Sequence, residues 1–260
     1  MKDGNILEKQ RFPSPNPRIA LHIVTYVCQG LKIKGLLAEP KELGKYDGFL
    51  YLRGGIKNVG KVRVGRIVQF ASQGFVVMAP FYRGNQGGEG NEDFAGEDRY
   101  DAICALSILR NHPKVNHERI HVFGFSRGGV MALFTGILDP DVKSVVCWGG
   151  VSDMTLTYYE RLDLRRMMKR VIGGSPNKVP DSYKWRTPLY SLEKMNAPVL
   201  IIHGKCDTNV DIEHSYRLEK RLQELDHPVE SWYFDNFTHY FPPQTNRRVV
   251  QDLSQWMQNQ

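Results

Sequence analysis

The sequence predicts an α/β fold: a doubly wound, mostly parallel sheet with an antiparallel hairpin at its N-terminal edge and a small helical cap. Three observations carry this. Short apolar runs recur at 48–52, 75–79, 120–123, Ser144–Trp148 and 199–203, with a less regular one at 230–234. Helix-length stretches at 62–72, 98–110, 127–138 and 212–225 separate most of them. Ahead of this alternation, two segments rich in β-branched and aromatic residues, Ile19–Cys28 and 31–39, meet at Gln29-Gly30.

Each element has its own reason. Strands covered on both faces read as continuous apolar runs, and the helices that cross between parallel strands read as amphipathic spacers. In 98–110 the apolar Ile103, Leu106 and Leu109 recur every three residues, which places them on one helix face. The Gln29-Gly30 junction supplies turn chemistry between two β-prone runs, hence a hairpin. Residues 1–18, polar and holding three prolines, read as an irregular lead-in. The stretch 151–190 is too long for an ordinary connection. Its helix-like middle and its Gly173-Gly174, Pro176 and Pro180 read as a helical insertion over the strand ends, within a single domain spanning 1–260.

Composition removes several function classes. Hydrophobic residues make up 41% and charged residues 24% of 260, an ordinary globular balance rather than a disordered or fibrous one. No apolar stretch approaches the ~20 residues that span a bilayer, and the N-terminus lacks the apolar core of a signal peptide. A cytoplasmic location without membrane contact is therefore expected. The net charge of +7 comes from scattered basic residues with no nucleic-acid motif. The densest group, Arg161, Arg165, Arg166, Lys169 and Arg170, reads as a solvated helix face. The four cysteines, Cys28, Cys104, Cys147 and Cys206, form no close pair in sequence and are expected as free buried thiols. No metal, cofactor or nucleic-acid partner is expected, and the oligomeric state stays open.

The chemistry concentrates at Gly124-x-Ser126-x-Gly128, where an apolar run ends and a helix-like stretch opens. A serine on such a turn sits in a strained backbone, glycines two positions away relieve crowding, and the helix N-terminus offers free N–H groups. Serine needs a base, and the base needs an orienting carboxylate. In such sheets the acid and then the histidine follow later strands. Asp207 follows the run 199–203, and His239 follows 230–234, so Ser126, Asp207 and His239 are assigned as nucleophile, orienter and base. Asp211 competes with Asp207 but reads as the cap of the helix opening near Ile212. His203 reads as a core histidine, His214 as an exposed helix residue, and His112, His117 and His121 match no metal spacing. The backbone N–H of Arg127 is the first oxyanion donor, and an N–H at Gly55 or Ile56, after the 48–52 run, is the second.

In Arg53-Gly54-Gly55, the turn at 81–88 beginning Phe81-Tyr82-Arg83-Gly84, the stretches 98–106 and 124–129, Thr187-Pro188-Leu189 with 197–207, and His239, the chain resembles the catalytic domain of the prolyl oligopeptidase family of serine hydrolases, within the α/β-hydrolase fold. The resemblance runs from about residue 20 to the C-terminus. It implies the same triad and a substrate-binding or bracing role for Arg83. Two departures matter. Many family peptidases carry tyrosine where this chain has Arg53, so the second oxyanion donor is expected from backbone, and Arg53 is expected to face an acidic substrate group or solvent. The chain is also too short for the propeller of the larger members. The expected activity is hydrolysis of small esters or short peptides through an acyl-enzyme. The alternative is a catalytically silent binding protein on the same fold.

Overall fold

The computed structural model describes residues 2–57 and 59–260. The strands are β1 (Ile6–Phe12), β2 (Ile19–Cys28), β3 (Leu31–Pro40), β4 (Tyr46–Leu52), β5 (Phe75–Pro80), β6 (Val115–Phe125), β7 (Ser144–Trp148), β8 (Val199–Gly204) and β9 (Val229–Phe234). The helices are α1 (Val64–Ala71), α2 (Arg99–Arg110), α3 (Gly128–Leu138), α4 (Met154–Glu160), α5 (Arg165–Ile172), α6 (Pro180–Trp185), α7 (Glu213–Glu224) and α8 (Pro243–Gln258). Among the described residues the strands form one nine-stranded sheet in the order β1-β2-β3-β5-β4-β6-β7-β8-β9. From β5 to β9 all neighbours are parallel, and β1, β2, β3 and β5 pair antiparallel.

Two expectations need correction. The expected hairpin is present, β2 pairing β3 around Gln29-Gly30, but β1 adds a third antiparallel strand beside it. Residues 6–12, read as irregular, pair with β2 from Phe12↔Leu21 to Ile6↔Tyr26. β1 is mostly exposed, so it lacks the apolar alternation that announces a strand; backbone pairing holds it together with Ile6 and Phe12 at its ends, which pack on the two core layers. The cysteines also differ from the expected free thiols. Cys28 and Cys104 are joined by a disulfide with Cα atoms 5.7 Å apart. The 76 residues between them hide this pairing, which arises because α2 packs across the end of β2. Cys147 is buried but Cys206 is exposed. Burial pushes the Cys147 thiol up to about 12.

The strands alternate faces with the period of two that their pleat imposes. Phe49, Phe75, Val77, Phe123 and Trp148 face one side, with Phe70 of α1 and Val250 and Leu253 of α8. Leu50, Leu52, Val76, Met78 and Val122 face the other, against α2 and α3. The insertion between β7 and β8 is helical as expected, and its Met154, Tyr158, Met168 and Tyr183 join this second layer. No described helix is long and apolar enough to cross a membrane.

Chain order reverses at β4. β4 leads through α1 to β5 on one side, and β5 leads through α2 to β6 on the other. The loops after β4 and β6 therefore diverge at neighbouring strand ends and leave a crevice, the usual place for a ligand in an open α/β sheet.

Phe123 is fully buried, and its ring lies 5.7, 5.3 and 5.2 Å from those of Phe49, Tyr51 and Phe70. Phe123→Ala should lower unfolding free energy by about 3–5 kcal/mol, read as a fall in urea midpoint at unchanged slope.

Candidate active site

Ser126 stands at the crevice, between the end of β6 and the start of α3. It is held at φ 58°, a left-handed conformation that costs a residue with a Cβ about 1–3 kcal/mol. The surroundings enforce it. The Ser126 N–H donates to Trp148 O at 3.1 Å, and its carbonyl accepts from Gly129 and Val151 N–H groups, both at 2.9 Å. A Cβ on Gly124 would meet Gly128 O and lie 2.8 Å from Ala132 Cβ, and one on Gly128 would meet Leu52 O. Bare glycines let α3 start directly on top of β4 and β6. Ser126 is half-buried, and its Oγ makes no hydrogen bond to a described residue.

The loops after β8 and β9 are stitched together. Lys205 N–H donates to Phe234 O at 2.8 Å and Cys206 N–H to Phe237 O at 2.9 Å. Phe234, Phe237 and Phe241 pack ring against ring, and Phe241 also meets Trp148. This fastening brings Asp207 and His239 together, with Asp207 Oδ2 2.6 Å from His239 Nδ1. The other carboxylate oxygen accepts N–H groups from Asn209 and Val210 at 2.8 and 3.0 Å. Burial raises the Asp207 carboxyl, but hydrogen bonds from His203 and His239 and the Val210 N–H outweigh it and hold the group well below the usual carboxylate range.

The serine and the Asp–His pair converge on one backbone point. Trp148, which accepts from Ser126, precedes Gly149, where a Cβ would lie 3.2 Å from His239 Nδ1 and 3.3 Å from Asp207 Oδ2. The ring of Phe125, the residue before Ser126, lies 4.7 Å from the His239 ring. No hydrogen bond to a described residue engages His239 Nε2.

The loop after β4 also reaches the serine. A Cβ on Gly54 would lie 2.6 Å from Ser126 Cβ and 3.1 Å from Oγ. The Arg53 guanidinium donates to Gly54 O at 2.9 Å. Because the peptide is trans, the Gly55 N–H then points away from that guanidinium. The N–H groups of Arg127, Gly55 and Ile56 donate to no described residue.

The roles expected of Arg53 and Arg83 toward substrate are not what the geometry provides. Arg53 is 3% exposed and donates to Glu92 at 3.2 Å and Phe81 O at 3.0 Å. Arg127, fully buried, pairs with the same Glu92 and with Asp98 at 3.1 Å. The Tyr82 ring lies 4.9 Å from the Arg53 guanidinium and 5.0 Å from that of Arg127. Arg83 takes the bracing role: its side chain and backbone N–H both bind the buried Asp101, and it also reaches Gln29. An arginine next to a nucleophile loop looks like a substrate ligand in sequence. Here burial makes each guanidinium require an internal carboxylate.

Sequence reasoning missed Glu92 and Asp98 as partners, because nothing in the polar stretch 84–97 marks a carboxylate that will be buried. It also placed His214 on an exposed face. His214 is buried, accepts from Ser152 N–H at 3.2 Å and meets Glu160 at 3.1 Å. His203 is a core histidine as expected, 2.6 Å from Ser215 Oγ, but it also lies 3.3 Å from Asp207 Oδ2. Asp211 accepts from the Glu213 N–H but stands one residue ahead of the α7 N-cap, Ile212, rather than at the cap itself. His112 pairs with Glu39 and His121 with Asp47, so they form no common site. In the basic cluster, Arg161 and Arg165 bind local acceptors while Arg166, Lys169 and Arg170 are exposed.

The Prolyl oligopeptidase family profile matches residues 62–260. An uncharacterized peptidase of Bacillus subtilis strain 168, YtmA, is 65% identical over 255 residues, taking in 98% of this chain and 99% of that protein. Among solved structures, acetyl xylan esterase 1 from Thermoanaerobacterium sp. JW/SL YS485 is similar at TM-score 0.76 and 18% identity, over 95% of this chain and 87% of that one. An acylaminoacyl peptidase of Pyrococcus horikoshii is similar at TM-score 0.78 and 20% identity, over 98% of this chain and 42% of that one. At these identities the two structures establish a shared fold.

Removing the Glu92 charge leaves two buried guanidiniums short of a partner. Glu92→Gln should destabilise the protein by about 3–5 kcal/mol near neutrality. Burial raises the Glu92 carboxyl, but Arg127, Arg53 and the Lys57 N–H outweigh it and hold the group low. Its contribution is therefore complete above the unfolded carboxyl value and lost as pH falls through the lower folded one. Urea titrations at neutral and acid pH should show the gap between the wild type and the variant narrowing on acidification.

Proposed function

The chain belongs to the prolyl oligopeptidase family, has the α/β-hydrolase fold and is a serine hydrolase; from that premise we propose that Ser126, His239 and Asp207 form its catalytic triad. The observation that carries the reading is the convergence at Trp148 and Gly149. The strained serine is anchored to one of these residues, and the Asp207–His239 pair lies against the other.

Asp207 accepts the Nδ1 proton of His239 and leaves Nε2 as the basic nitrogen. That nitrogen removes the Ser126 proton as Oγ attacks the carbonyl carbon of an ester or amide. The tetrahedral oxyanion takes hydrogen bonds from the Arg127 N–H and from Gly55 or Ile56 N–H. Collapse expels the leaving group with the proton from His239. Water, deprotonated by the same imidazole, then hydrolyses the acyl-enzyme. The Arg127 and Gly55 donors are set in advance, because the side chain of Arg127 and the neighbour of Gly54 are both fixed to Glu92. Fixed dipoles of this kind are worth about 3–4 kcal/mol each in the transition state.

Small esters and short peptides are the substrates that this reading favours. Similar proteins carry both esterase and peptidase names, so a panel of short esters, aminoacyl amides and dipeptides separates the two preferences. The silent-binder alternative has no particular feature in its favour.

A fluorophosphonate should label the wild-type protein and leave Ser126→Ala unlabelled, with kcat on p-nitrophenyl esters down by roughly 10⁵–10⁶. Labelling that survives in Ser126→Ala removes the assignment. Asp207→Asn should keep the fold and lower kcat by about 10⁴.

A further inference from the structure

A cavity beside the nucleophile loop gathers cations without a carboxylate to answer them, and from it we propose that the active site takes substrates in which a carboxylate or phosphate is joined to an apolar body. This rests on the triad reading and names the substrate class for it. The cavity measures about 350 Å³ and lies between the antiparallel edge strands and the loop after β4. One wall is apolar, with Phe12, Leu36 and Phe81. Lys34, Lys57 and Lys61 supply the charged lining. No aspartate or glutamate lines it, and none of the three lysines forms a salt bridge with a described residue. Glu92, which anchors this loop by accepting the Lys57 N–H at 2.7 Å, is already engaged by Arg53 and Arg127.

The position ties the cavity to the chemistry. Arg53 lines it, and Gly54, the next residue, lies against Ser126. Gly54 therefore stands between the cavity lining at Arg53 and Ser126, and a ligand held among the lysines that extends past Arg53 approaches the serine. Three lysines lining one concave wall create a positive field that a neutral ligand cannot use and that an anion relieves. The apolar wall supplies the non-directional part of the affinity.

Binding is measured calorimetrically on Ser126→Ala, which removes turnover. Phenylbutyrate and phenyl phosphate should both bind, with neutral phenylbutanol about ten-fold weaker or more, and added salt should weaken only the anions. The tighter of the two anions names the head group. Lys34→Met/Lys57→Met/Lys61→Met should cost the anions about ten-fold or more in affinity. The single exposed change Lys61→Glu should act in the same direction, and it keeps the test open if the triple variant unfolds. Equal binding of the alcohol and the anions, or anion affinity unmoved by Lys61→Glu, overturns the proposal. On the catalytic protein, kcat/KM for the p-nitrophenyl monoester of glutaric acid relative to p-nitrophenyl pentanoate should fall about ten-fold in the lysine variants. Turnover with an unchanged ratio rejects the cavity and leaves the hydrolase intact. Anion binding without fluorophosphonate labelling or ester turnover rejects the triad reading and leaves the cavity intact.

Discussion

The interaction on which the site depends is the pair of ion contacts made by Glu92. This carboxylate, 5% exposed, joins Arg53 on the loop after β4 to Arg127 on the turn after β6. Those two segments flank the crevice at the chain reversal, and each carries a backbone N–H aimed at no internal acceptor. Two guanidiniums and a carboxylate withdrawn from water are costly to separate, so the two loops keep one spacing. Tyr82 lies within cation–π range of both arginines, and its rigid ring limits how far either can move. Residues that resemble substrate ligands thus act on the frame that holds the proposed oxyanion donors.

A second constraint is steric. Loops from β4, β6, β7, β8 and β9 meet within a few ångströms, and side chains at the contact points would keep them apart. Gly54 against Ser126, Gly128 against Leu52 and Gly204 against Phe237 are places where a Cβ has no room, and at Gly149 one would crowd the Asp–His pair. The left-handed backbone at Ser126 follows from the same crowding. Its carbonyl and N–H are both committed to neighbouring loops, so the strain is offset by hydrogen bonds that a relaxed turn would lose.

Asp207 shows how far positioning extends past the proposed triad. Its two oxygens take two backbone N–H groups and His239, with His203 at their back. A carboxylate with this many donors is fixed in rotamer and in charge, and the histidine tautomer follows from it. The edge sheet contributes differently. Its Phe12 and Leu36 face the cavity that the loop after β4 closes, so strands remote in sequence from the proposed triad line the cavity beside that loop.

By itself the sequence determined whatever has a local signature. Continuous apolar runs announced the buried parallel strands, the spacing of Ile103, Leu106 and Leu109 announced α2, and Gly124, Ser126 and Gly128 at a strand end announced the turn. Strand order then picked out Asp207 and His239, because loops at one end of a parallel sheet meet in space. The tertiary structure alone decided what depends on partners far along the chain. β1 is held mainly by backbone pairing, with only Ile6 and Phe12 at its ends packed on the core. Cys28 and Cys104 meet through the packing of α2. His214 is buried by the insertion that crosses it, and Arg53 and Arg83 turn inward to Glu92 and Asp101. The reason is common to all of these. A charge, a thiol or an exposed strand carries no local pattern that reports its burial or its partner, and its role is set only when another segment excludes water from it.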